Sequence, residues 1–140
     1  YTSGDSTLDV ISTLSEEGIK LNITAIFTMQ QIEKILSSIQ NTNSIISVFA
    51  GRIYDIGFDA KIIMKDMASY VHENSQCSLL WASPRMHFDA VSAQAVGCDI
   101  ITMTNSMYKK MSLLGKSPEQ YSLETVKMFY DDAIASGFKL

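Results

Sequence analysis

The sequence is poor in the residues that build metal centres, disulfide frameworks and basic grooves. Among 140 residues there are two cysteines, two histidines and two prolines. Cys77 and Cys98 are separated by 20 intervening residues and form no CxxC pair, so neither a zinc site nor a redox motif is expected, and both are read as buried, reduced thiols. His72 and His87 are isolated from other ligands and suit surface or helix-cap positions. The net charge of −4 includes no basic stripe, which argues against nucleic acid. No apolar run approaches the roughly 20 residues of a membrane span, and the opening YTSGDS carries no charged-then-apolar leader. Nothing argues for a membrane or for export, and a cytoplasmic location is expected. A GxxxxxG spacing at Gly51 and Gly57 lacks the Lys and Ser/Thr of a phosphate-binding P-loop. A turn needing positive φ explains either glycine.

What is present is 46% apolar residues, arranged as a fourfold alternation of two periods. This is enough for one globular unit over residues 1–140. LDVISTLSEEG (8–18) has helical spacing after Asp5 and Ser6 as N-caps, with Gly18 as a left-handed C-cap. LNITAIFT (21–28) switches to period two, MQQIEKILSSIQ (29–40) returns to helical spacing, and NTN (41–43) is a turn. Strands follow at 45–50, 78–83 and 99–104, and helices at about 59–73, 86–96, 105–114 and 118–136. The last helix carries Val126, Phe129, Tyr130, Ala133 and Ile134 on one face.

Short connections between strand and helix imply right-handed crossovers and a parallel sheet. Two architectures then compete, an open doubly wound sheet and part of a (β/α)8 TIM barrel. In 21–28 one face carries Leu21, Ile23, Ala25 and Phe27 and the other Asn22, Thr24, Ile26 and Thr28; in 45–50 Ser47 and Phe49 oppose Ile46, Val48 and Ala50. A sheet covered by helices on both sides wants both sets apolar, whereas a barrel interior accepts polar groups. Four βα units make half of a barrel of about 250 residues, and half a barrel leaves edges exposed. With Tyr rather than Met at position 1, the chain is expected to be the C-terminal half of something longer.

Barrel chemistry gathers where parallel strands end, which selects Asn22, Thr24 and Thr28, then Ser47 and Arg52, then Ser83 and Arg85. Two arginines with neighbouring hydroxyls form a sensible phosphate clamp. Pairing of either arginine with Asp55 or Asp89 is the competing explanation, and a turn role is open for Asp55. Asn22 and Thr24 fit a water or substrate hydroxyl as well as they fit an internal hydrogen bond. Trp81, sharing parity with Ser83, serves the core or walls the pocket. No lysine lies within an expected strand: Lys20 precedes one, and Lys61, Lys65, Lys109 and Lys110 ride on helices.

LNITAIFTMQQ (21–31), ISVFAGRIYDIG (46–57), WASPR (81–85) and AVGCDIITM (95–103) occur in the order and spacing of the transaldolase family of class I aldolases, which this chain resembles over nearly its whole length. The resemblance implies a (β/α)8 barrel that cleaves ketose phosphates through a Schiff base and passes a dihydroxyacetone unit to an aldose phosphate, within the pentose phosphate pathway of carbohydrate metabolism. It implies no metal or organic cofactor. It assigns Asn22 and Thr24 to the active site, the threonine helping to hold a catalytic water. Arg52, Ser83 and Arg85 are assigned to phosphate binding, and Ser47 lines the same pocket. Phe49 stands where simple aldolases carry Tyr, which favours transfer. Pro84 and Met86 depart from the commoner pattern of their loop. The family's Schiff-base lysine and its acidic partners fall before Tyr1, so the chain alone is expected to be inactive. The expected partners are a sugar-phosphate substrate, the N-terminal part of the same barrel and further copies in a homo-oligomer. The alternative is a non-catalytic half-barrel that binds phosphate or serves assembly.

Overall fold

The computed structural model describes residues 2–39 and 42–137. Tyr1, together with Gln40 and Asn41 of the expected helix end and turn, lies outside them. The elements run α1 (Leu8–Glu16), β1 (Asn22–Ile26), α2 (Met29–Ser38), β2 (Ile45–Val48), α3 (Ala50–Asp55), α4 (Ala60–Asn74), β3 (Ser78–Trp81), α5 (Asp89–Ala95), β4 (Ile100–Ile101), α6 (Asn105–Lys110), a 3-10 turn (Met111–Leu113) and α7 (Pro118–Ala135). All strand pairs are parallel, in the order β1-β2-β3-β4. A doubly wound sheet reverses its strand order at a switch point. Here the order never reverses, so right-handed crossovers set the connecting helices on one side. The unit is α/β with the plan of half a (β/α)8 barrel.

The core lies between that helix layer and one face of the sheet. Ile46, Val48, Leu79 and Trp81 meet Ile32 and Ile35 of α2 and Met64, Met67 and Val71 of α4, and Ile46, Val48, Leu79, Trp81, Ile32, Met64 and Val71 are all fully buried. Each such side chain contributes about 1.5–3 kcal/mol through removal from water. Trp81 is therefore a core residue: it pairs with Val48 and stands 6.2 Å from the Tyr54 ring. Its parity does not carry through to Ser83, because the strand ends at Trp81 and Ser83 turns to φ +59°.

Several boundaries differ from the expectation for identifiable reasons. Thr7, not Asp5 or Ser6, is the N-cap of α1, while Ser6 Oγ accepts from the Leu8 N–H at 3.3 Å. Gly18 takes the left-handed cap at φ +75° as its position requires. Strand β2 stops at Val48, and the following GRIYD, read as loop, winds into α3. The face Asn22-Thr24-Ile26-Thr28 is broken. Ala25 adopts φ +62° and the β1–β2 register shifts between Ile23 and Ile26. This bulge returns Ile26 to the helix side, where it pairs with Val48 and is buried. Thr28 caps α2, its Oγ1 accepting from Gln31 N while Gln31 Oε1 accepts from Thr28 N. The helix expected at 118–136 forms, yet none of its residues is buried, and Val126, Phe129, Tyr130 and Ile134 are exposed.

Buried polar groups are tied to one another at the strand starts. Ser44 Oγ accepts from Leu21 N at 3.1 Å and lies 2.9 Å from Thr42 Oγ1. Cys77 Sγ donates to the Thr42 carbonyl. Cys98 is partly buried, and burial, aided by the charge of Asp99, pushes its thiol up to about 12. Asp99 Oδ2 accepts from Leu79 N at 2.7 Å and lies 2.9 Å from His72 Nε2, which links the end of α4 to the sheet. Partial burial pushes the Asp99 carboxyl up, but the bonds from His72 and Leu79 outweigh it, and the group is held below the usual carboxylate range. A depressed folded value adds stability above the unfolded pKa, and that stability is lost as pH falls through the folded one. Thermal unfolding is accordingly expected to lose midpoint more steeply below about pH 4 in the wild type than in Asp99→Asn. The difference should be about 1 kcal/mol or less, because the pair is 42% and 38% exposed.

Candidate functional site

The sheet face away from the helices carries Asn22, Ser47 and Leu80. Ser47 is buried, and its Oγ donates to Asn22 Oδ1 at 2.6 Å. Asn22 is the first residue of β1, opposite Ile45, and therefore lies within the sheet and not at its C-terminal end. The bond fixes the amide oxygen as acceptor and leaves the Asn22 amino group pointing its donors elsewhere. Thr24 is not brought to this pair. It lines a cleft of about 400 Å³ beside β1, shared with Ser6, Leu8, Gln31 and Lys34, and its hydroxyl makes no hydrogen bond among the described residues.

At the C-terminal ends of β2 and β3 a second group forms. Phe49 is the N-cap of α3, its ring centre 5.9 Å from Phe27. The Arg52 guanidinium lies 4.9 Å from the Phe49 ring centre, a cation–π contact that steadies it without neutralising it. Arg52 forms no ion pair among the described residues.

Arg85 is differently placed. Its Nε donates to Asp55 Oδ1 at 2.8 Å and its Nη2 to Asp55 Oδ2, a bidentate pair. Its Nη1 donates to Ser83 Oγ at 3.0 Å and to the Ser83 carbonyl at 3.2 Å. Asp55, left open by the sequence, is thus the partner of Arg85 and not of Arg52. The Arg85 hydrogen bond holds the Asp55 carboxyl below its usual range and raises Arg85 in turn. Asp89, buried, accepts the Arg85 and Met86 N–H groups on Oδ2 at 2.6 and 3.1 Å.

Gly51 joins α3 to this loop. Its φ is not positive, so the turn explanation fails there, although it holds for Gly57 at φ +87°. A Cβ on Gly51 would sit 1.6 Å from the Ser83 carbonyl oxygen and 3.3 Å from Arg85 Cζ. Only glycine lets the helix and the loop come this close. Beyond Arg85 the loop opens on a cleft of about 350 Å³ that also takes in Thr102 and Thr104. Sequence reasoning missed both hydroxyls, although they lie at the C-terminal end of the expected strand 99–104 as Ser83 lies at the end of 78–83.

Ser83 and Arg85 are bonded to each other, and Arg52 follows the Gly51 that packs on their loop and rests on Phe49. Ser47 and Asn22 are bonded on the sheet, and Thr24 lies apart. The same stretch of chain matches a known family: the model described as transaldolase/fructose-6-phosphate aldolase fits residues 3–139. The chain belongs to that family. Among its relatives, proteins named probable transaldolase from Streptococcus pyogenes serotype M5 (strain Manfredo) and serotype M1 are 31% identical over 128 residues. The match covers 89% of this chain and 55% of each relative, so the chain spans about half the length of the curated relatives it matches.

Proposed function

We propose that this chain provides the phosphate-binding side of a transaldolase-type active site. The observation that supports the reading is the docking of α3 on the Ser83–Arg85 loop through Gly51, because Arg52 is the next residue of that helix after the contact. In this reading Arg52, held in no ion pair among the described residues, takes the phosphate as a charged donor, Ser83 adds a further donor, and Arg85 fixes Ser83 and supplies charge. Phe49 forms the wall against which Arg52 rests, and Ser47 lines the pocket. Ser47 holds Asn22, whose free amino group orients the sugar, and Thr24 holds the water that enters when the covalent intermediate is hydrolysed.

The reaction is the transfer of a dihydroxyacetone unit from a ketose phosphate to an aldose phosphate. It passes through a Schiff base, for which a lysine amine must approach the ketose carbonyl in a dry pocket. Among the described residues no strand contains a lysine, and in this reading the nucleophile comes from outside these 140 residues, in the remaining part of the barrel. Borohydride reduction of the intact protein with fructose 6-phosphate tests this. The expected result is a sugar adduct on a lysine outside residues 1–140. An adduct on Lys20 or Lys61 would overturn the assignment, and no adduct in a protein that binds the sugar phosphate would favour a non-catalytic phosphate-binding module.

A further inference from the structure

We infer that Asp55 is a positioning residue of the phosphate pocket, acting through Arg85 on the donor set that Ser83 presents. This rests on the proposed phosphate site and assigns a role within it to a carboxylate that touches no substrate. The Nε–Nη2 edge of Arg85 is the edge best shaped for a bidentate anion, and Asp55 occupies it. That grip turns Nη1 to Ser83, whose Oγ accepts from it at 3.0 Å. Because the Ser83 hydroxyl accepts this bond, its own O–H stays available to donate, and it bonds to no other group among the described residues. Four hydrogen bonds leave the Arg85 guanidinium little to offer a ligand directly. Its part is to fix Ser83 and supply charge, while Arg52 remains the open cation.

Two further observations show the loop built to this geometry. Ser83 is held at φ +59°, a backbone conformation costly for a residue with a Cβ and concentrated at functional sites. Asp89 pins the loop from below through the Arg85 and Met86 N–H groups. Without Asp55 the side chain of Arg85 keeps its backbone anchor but loses the contact that directs its head. Ionisation of Asp55 is secured through the neutral range, since the bond from Arg85 holds its carboxyl low.

The test compares Asp55→Asn and Asp55→Glu in the intact protein, using fructose 6-phosphate turnover and competition by inorganic phosphate. Asp55→Asn is expected to raise both the KM for the phosphorylated sugar and the inhibition constant for phosphate by about tenfold, the size of one charge-assisted hydrogen bond, with kcat nearly unchanged. Asp55→Glu should recover most of the loss, and adding Ser83→Ala to Asp55→Asn should cost little more, because both changes remove the same donor. A merely structural ion pair would move the unfolding midpoint and leave the KM-against-kcat split untouched, which would overturn the inference. Tighter phosphate binding in Asp55→Asn would overturn it as well, by making Asp55 a competitor for Arg85. The phosphate site itself is judged separately. Wild-type phosphate dependence in Arg52→Ala removes that site, whereas a phosphate-blind Arg52→Ala beside an unchanged Asp55→Asn overturns the role of Asp55 alone.

Discussion

Gly51→Ala is expected to destabilise the protein by about 3 kcal/mol or more, the upper range of overpacking. The new methyl group would lie 1.6 Å from the Ser83 carbonyl oxygen and 2.8 Å from its carbonyl carbon. Both are backbone atoms and cannot swing aside as a side chain could. Relief requires that α3 and the Ser83–Arg85 loop separate, which would also break the bond between Asp55 and Arg85 that spans them. The variant should thus lose stability and phosphate binding together. Urea unfolding measures the first, with Gly57→Ala as the comparison: Gly57 has open space around its missing Cβ but φ +87°, so alanine there costs only the left-handed conformation, about 1–2 kcal/mol. Equal losses at the two glycines would show that the close approach is not what fixes the loop.

Arg52→Ala is expected to act in the opposite way, strongly on binding and weakly on folding. The side chain is exposed and unpaired by any carboxylate among the described residues, so its removal gives up only the contact with the Phe49 ring at 4.9 Å, worth about 0.5–1 kcal/mol at such a site. Loss of the free cation from a bound phosphate removes one or two charge-assisted bonds of about 1.5–3 kcal/mol each, which corresponds to a KM for phosphorylated sugars raised roughly a hundredfold. The KM for the unphosphorylated sugar should stay where it is. Steady-state kinetics with fructose and fructose 6-phosphate separate the two effects, and equal changes for both substrates would place Arg52 outside the phosphate site.

Most of the βα array could be read from the chain because its signals are local. Ile32 and Ile35 in α2, or Met64, Met67 and Val71 in α4, repeat at the helical period and point to one buried face. The features that escaped are those in which tertiary contacts override the local preference. A bulge at Ala25 inverts the parity of the strand beyond it, and nothing about alanine announces φ +62°. Helix α3 is six residues long and contains a glycine, so propensity argues against it; burial of Ala50, Gly51 and Ile53 supplies what propensity does not.

In the candidate site, position after a strand was enough to select Arg52, Ser83 and Arg85. It could not say which arginine Asp55 would take, because the partner that wins is 30 residues away and the one that loses is three. The choice between them is made by the approach of α3 to the Ser83–Arg85 loop at Gly51, a property of the folded chain and not of any stretch of sequence.

The order β1-β2-β3-β4 follows the order of the chain, and this bears on how the molecule comes to be folded. Each strand pairs with the strand made just before it, after a single intervening crossover. The entropy of closing each loop is met in small, similar steps, and no pairing among the described strands waits for a distant segment to arrive. Low sequence separation between contacting elements favours quick assembly. The Ser83–Arg85 loop then needs only α3, β3 and the start of α5, through Asp55, Gly51 and Asp89, for its contacts to form.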